Sequence, residues 1–179
     1  MSAVTVIYVI REDLSRRTSI ANPVLRLLRD YIINMAINLD LYVANPGKRS
    51  SINNKLISKD EDTILDAMNT LHKNMKDMSE KKLNEEEKKA IRAARRGFCD
   101  DITHILKRVD YVLDKVSGDD VPEFISYSKI LETNEFHIGQ LFKFESEHEE
   151  FECALLRAYT QSFEMCIKIY NIVVKALKG

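Results

Sequence analysis

Apolar residues recur at spacings of three and four along most of the chain, and this period is typical of amphipathic helices. One stripe runs from Ile64 to Met78 and another from Phe151 to Leu177. A third has the 4-3-4-3-4 spacing of a heptad seam, which suits packing at a shallow angle against long neighbouring helices. Its members are Phe98, Ile102, Ile105, Val109, Val112 and Val116.

The first long helix is predicted to begin with Asn22 as N-cap and Pro23 at the first helical position, and to end near Val43. The breaker Asn45-Pro46-Gly47 follows it. Apolar residues cover most of its circumference, so this helix must be surrounded, either as the central helix of the domain or at an interface. The candidate partner interface consists of Ile33, Ile37 and Leu41.

Polar residues before two apolar stripes predict where the next helices begin. Ser58 and Glu61 have the spacing of a capping box for a second helix ending near Lys82. Asn84 and Glu87 repeat that spacing for a third helix. We expect the third helix to reach Gly118, because glycine commonly ends helices.

The last third of the chain is predicted to hold shorter elements and one long helix. Asp120 and Pro122 open a short helix, and Thr133 starts another. The final helix is expected from about Ser146 to Leu177. Residues 4–10 are mostly β-branched or aromatic, so they are either a strand that pairs with another molecule or a further helix.

Composition favours the same fold class. Only five Gly and three Pro occur among 179 residues, which argues against many short strands joined by tight turns. We therefore predict an all-α protein, a single domain over residues 1–179. It is an elongated helical bundle of four long helices with two or three short elements, and the apolar helix at about 22–43 lies in its core or at an interface.

Charge and cysteine content indicate the compartment. Hydrophobic residues make up 45% and charged residues 31% of the chain, as in soluble globular proteins. The three cysteines are odd in number and lack CxxC spacing, so we expect reduced thiols. No basic residue precedes the apolar start of the chain, as a signal peptide would require, so we expect a cytoplasmic protein.

No motif indicates a catalytic class. The chain has no glycine-rich phosphate loop, and its four histidines show no pattern around a serine or cysteine nucleophile. Asp101 with His104, and Glu145 with His148, have the i, i+3 spacing of di-iron carboxylate bundles. The complete motif also needs inward carboxylates from two other helices, so we predict no metal, no cofactor and no enzymatic activity.

A cluster of basic residues on the third predicted helix is the alternative functional feature. It could bind the phosphates of nucleic acid or of an anionic membrane, with an affinity that falls steeply with salt. Three glutamates immediately before it and the lack of interleaved aromatic residues favour an ordinary solvated face. This basic face consists of Lys88, Lys89, Arg92, Arg95 and Arg96.

Two serines follow paired basic residues in predicted loops. Ser19 follows Arg16 and Arg17, and Ser51 follows Lys48 and Arg49, as in sites of basophilic kinases. Both are candidate phosphorylation sites. Taken together, the sequence predicts a non-enzymatic interaction module, such as an adaptor, regulator or assembly subunit, whose partner is another protein or a second copy of the chain.

Overall fold

The computed structural model describes residues 23–48, 50–143 and 150–179, and these contain helices and no strand. The all-α bundle is confirmed. The helices are α1, described from residue 23 to 39 and continued by a π-helical turn at Asp40–Ala44; α2 at Ser51–Leu56; α3 at Glu61–Ser79; α4 at Glu85–Val112, followed by a 3₁₀ turn at Leu113–Lys115; α5 at Val121–Lys143; and α6 at Phe151–Lys178.

Helix α6 lies at the centre of the described bundle. It packs against α5, α3 and α4, and apolar residues around most of its circumference are buried. Four of its side chains are almost completely shielded from solvent: Tyr159, Phe163, Cys166 and Tyr170. The sequence predicted that α1 lies in the core or at an interface; its described part buries one face in the core and exposes Arg26, Leu27 and Asp30.

Local hydrogen bonds decide two helix starts. Asn84 and Glu87 form the predicted capping box, with N···O distances of 2.8 and 2.9 Å. The predicted Ser58–Glu61 box is wrong, because Asp60 caps α3 by accepting a hydrogen bond from the Thr63 amide at 3.0 Å. Ser58 instead accepts a hydrogen bond from the amide of Asp60.

Other predicted boundaries differ from the structure. The stretch after Pro46 contains the short helix α2, α3 ends at Ser79, and α4 ends at Val112 although Val116 is still buried. Residues 121–143 form one continuous helix, so the predicted restart at Thr133 is wrong and the described part of the chain has five long helices instead of four. The predicted starts at Asn22 and Ser146, and the segment 4–10, lie outside the described residues.

A buried carboxylate fixes the chain where α1 ends. Asp40 is fully buried and accepts hydrogen bonds from Asn45 Nδ2 at 2.8 Å, Ser50 Oγ at 2.6 Å and Asn53 Nδ2 at 3.3 Å. Ser50 also caps α2 by accepting from the Asn53 amide. These contacts, the Asp40 network, hold the π-helical turn and α2 together.

Candidate functional site

An apolar groove of about 510 Å³ lies between the end of α1 and the first half of α4. Eleven of its fifteen lining residues are Ala, Leu, Val, Phe, Tyr, Pro or Gly. The lining residues are Asn38, Leu39, Leu41, Tyr42, Val43, Pro46, Gly47, Glu86, Lys89, Ala90, Ala93, Ala94, Gly97, Phe98 and Asp101.

The floor of the groove is open because α4 presents only small residues there. Ala90, Ala93, Ala94 and Gly97 follow the i, i+3, i+4, i+7 pattern of one helix face. A Cβ atom added at Gly97 would meet no heavy atom within 4 Å. Gly97 therefore contributes to the groove and does not allow a close approach between helices of the same chain.

The wall of the groove comes from the turn after α1. Leu41 is half-buried, whereas Tyr42 is 60% exposed. The Gly47 amide donates a hydrogen bond to the Leu41 carbonyl at 3.1 Å, and Gly47 has a positive φ of 70°. This tight turn and the adjacent Asp40 network hold the wall beside α4.

Charged residues stand at the two ends of the groove. At one end Asp101 is half-buried and accepts a hydrogen bond from Asn38 Nδ2 at 3.1 Å. Burial raises the pKa of Asp101 above its usual value. No cation of the described residues forms an ion pair with it. The other end carries Glu86 and Lys89.

Only one residue of the predicted interface lines the groove. Leu41 does, whereas Ile33 and Ile37 are half-buried and pack against the core. The floor was missed by sequence reasoning, which treated that part of α4 as a basic face. The signal that could have revealed it is the run of Ala and Gly at helical spacing.

The basic face is interrupted by acidic partners. Arg92 donates from Nε to Glu152 Oε1 at 2.7 Å, and its guanidinium lies 5.3 Å from the centre of the Phe151 ring. Lys88 pairs with Glu85 at 3.2 Å. Two of the five predicted phosphate-binding cations therefore already contact carboxylates.

The other three basic residues point in different directions. Lys89 lines the groove, Arg95 is half-buried, and Arg96 is exposed. The five basic residues therefore do not share one environment: Arg92 contacts Glu152 of α6, Lys89 lines the groove, and Arg96 lies on the exposed surface of α4.

The Arg92–Glu152 pair makes stability depend on pH. Burial raises the pKa of Glu152, but hydrogen bonds from its own backbone and from Arg92 outweigh this and leave it below the usual value. A carboxyl with a lowered pKa in the folded state stabilises the fold above its ordinary pKa, and this contribution disappears as the pH falls through the folded value.

We expect Glu152→Gln to lower the free energy of unfolding by up to about 1 kcal/mol at neutral pH. The difference from wild type should vanish at an acidic pH low enough to protonate Glu152 in the folded as well as the unfolded state. Urea unfolding at the two pH values measures this. Glu150→Gln, an exposed neighbour, is the control, and an equal loss at both pH values would contradict a contribution from charge.

The other residues singled out in the sequence, the candidate phosphorylation sites and the carboxylate–histidine pairs, do not form a site in the described part of the structure. Ser51 is the exposed first residue of α2, and Ser19 lies outside the described residues. His104 stacks on Tyr31 with ring centres 5.2 Å apart, and Asp101 contacts Asn38. In the described ranges no three His, Cys, Asp or Glu side chains gather around one point. The pair Glu145 and His148 lies outside those ranges.

A second cavity, of about 430 Å³, lies where α3 begins and α6 ends. Three polar residues that line this cavity contact partners, namely Glu61, Tyr170 and Lys175. Tyr170 donates its hydroxyl to Glu61, which also accepts from Arg29 at 2.9 Å. Lys175 pairs with Asp120 at 2.7 Å. This arrangement indicates a structural link between the helix ends.

Comparison with known proteins identifies no relative of this chain. The chain matches no protein-family model, no curated protein and no solved structure at a significant level. None of the described helices combines the length and apolar character needed to cross a bilayer.

Proposed function

We propose that the protein is a non-enzymatic interaction module that binds a helix of a partner protein in the groove between α1 and α4. The observation that carries this proposal is the groove itself, with its floor of Ala and Gly side chains. Such a module would act as an adaptor, a regulator or an assembly subunit.

The dimensions of the groove suit a helix. Glu86 and Asp101, at its two ends, are 15 positions apart along α4, which corresponds to about 22 Å at ~1.5 Å per residue. A helix of about four turns matches this length. Recognition of an amphipathic helix by an apolar groove is a recurrent mode of protein binding.

Residue size also favours a helical ligand. The small side chains of the floor leave room for a helix to lie close against α4. The exposed Tyr42 at the wall is the residue type that most often anchors protein interfaces. A ligand helix would also remove this apolar surface from water, a favourable change of about 25 cal/mol per Å² buried.

The basic face gives weaker support to binding of nucleic acid or an anionic membrane. Arg92 and Lys88 already contact carboxylates, and Lys89 lines the groove. Phosphate binding through this face would compete with the pairing of Arg92 to Glu152.

A pair of glycine substitutions tests the groove. Gly97→Leu fills its floor, and Gly139→Leu makes the same change inside α5, away from it. A Cβ atom meets nothing within 4 Å at either position, so both variants should fold, with stability equal to or above wild type. The measurement is quantitative mass spectrometry of proteins that co-purify with each tagged variant from the native cells.

We expect at least one polypeptide to co-purify with wild type and Gly139→Leu and to fall about tenfold or more with Gly97→Leu. Identical co-purified proteins for all three chains would overturn the proposal. So would a protein lost equally from both variants, because that loss would not depend on the groove.

A further inference from the structure

We infer that the helix bound in the groove is α4 of a second copy of this chain, in an antiparallel, two-fold symmetric dimer. The inference rests on the proposed function, since it names the partner of the same groove. Its carrying observation is that Lys89 stands at one end of the groove, beside Glu86, and Asp101 stands at the other, so a two-fold axis can place the cation of each copy beside the Asp101 carboxylate of the other.

Two-fold symmetry brings those charges together. In an antiparallel pair of α4 helices whose axis passes between Ala93 and Ala94, Lys89 lies opposite Phe98 of the second copy. Asp101 of that copy is one helical turn further along, within reach of a lysine side chain. Each dimer therefore contains this pair twice.

Neither group has an ionic partner among the residues that the structure describes. Asp101 is half-buried and contacts Asn38, and neither Asp101 nor Lys89 forms an ion pair with another described residue. Covering a carboxylate without a cation would leave a buried unpaired charge, which is strongly unfavourable, so the surface that covers Asp101 must also supply a cation. The second copy supplies both the cover and the cation.

Small residues at the centre permit close contact between the two helices. Around the axis, Ala90, Ala93, Ala94 and Gly97 of each copy face the same set of the other. Helices packed through such short side chains approach to the lower end of the usual 8–10 Å interaxial distance. The walls at Tyr42 then flank the paired helices on both sides.

One like-charged contact accompanies this arrangement. Glu86 lies opposite Asp101 of the second copy, and Lys89 stands one turn from Glu86 on its own helix. Lys89 therefore lies between the two carboxylates. Because Glu86 is exposed, water screens its repulsion, and Glu86→Gln should strengthen the dimer.

Charge reversal with light scattering tests the dimer. Wild type should approach twice the chain mass of 20.7 kDa with rising concentration. Lys89→Glu should weaken dimerisation at least about tenfold, because its carboxylate then meets Asp101 of the second copy. The double variant, Lys89→Glu with Asp101→Lys, should restore it. Lys107→Glu, an exposed change of equal charge on α4, is the control.

Circular dichroism of each variant separates lost association from lost folding. Lys89 is exposed, so Lys89→Glu tests the inference even if Asp101→Lys lowers helicity. A wild-type mass of 20.7 kDa at every concentration would overturn the dimer while leaving the groove free for a helix of another protein. A dimer that is insensitive to Lys89→Glu, or a folded double variant that stays monomeric, would also overturn it.

Discussion

Tyr159→Ala is expected to lower the free energy of unfolding by about 4 kcal/mol, because it removes a large side chain from the centre of the bundle. Tyr159 is fully buried on α6. Its ring centre lies 4.4 Å from that of Phe98, and its hydroxyl donates to the Ile91 carbonyl at 2.9 Å. Both contacts lie directly behind the groove floor, so this residue supports α4 where the proposed helix binds.

Tyr159→Phe separates the hydrogen bond from the packing. It keeps the ring and removes only the hydroxyl, so the expected loss is about 1 kcal/mol. Urea denaturation of the two variants and wild type gives both values. A loss below about 2 kcal/mol for Tyr159→Ala would show that α6 is not packed against α4 as described.

Asp40→Ala is expected to lower the free energy of unfolding by about 3 kcal/mol. The change leaves the half-buried amides of Asn45 and Asn53 and the half-buried hydroxyl of Ser50 without their common acceptor. Unsatisfied buried donors cost about 1–3 kcal/mol, and groups in one network lose partners together. Chemical denaturation measures the loss.

Two further variants test the Asp40 network. Ser50→Ala removes one of its donors and should cost about 1 kcal/mol. Asp40→Asn keeps the shape but turns an NH₂ group toward donors, so it should be nearly as destabilising as Asp40→Ala. If Asp40→Asn matched wild type, the carboxylate would not be the acceptor that holds the wall of the groove.

Sequence alone predicts those features that depend on neighbouring residues. The capping box of Asn84 and Glu87 is local, and so is the heptad seam of α4, and both are present. Thr133 shows the limit of such local signals. Its hydroxyl can cap a new helix, but within α5 it donates to the Lys129 carbonyl at 2.9 Å and the helix continues.

The groove could not be predicted because it depends on distant parts of the chain. Leu41 and Gly97 line the same groove but are 56 positions apart, and no periodicity brings them together. The pairing of Arg92 with Glu152, 60 positions away, is likewise a result of packing. The sequence pattern therefore suggested one continuous basic face, whereas in the folded protein Arg92 pairs with a distant carboxylate and Lys89 lines the groove.

The central claim is that a second polypeptide occupies the groove, and a photo-crosslinking residue at position 93 tests it most directly. Ala93 is exposed on the groove floor, so a photoreactive side chain there can be introduced without disturbing the core. The same residue at Asn69, exposed on α3, is the control.

After irradiation of the native cells, we expect position 93 to form a covalent adduct with another polypeptide chain. Position 69 should not form it, and Gly97→Leu should abolish it. Recovery of only the uncrosslinked 20.7 kDa chain from position 93, or equal adducts from both positions, would contradict the proposed docking surface.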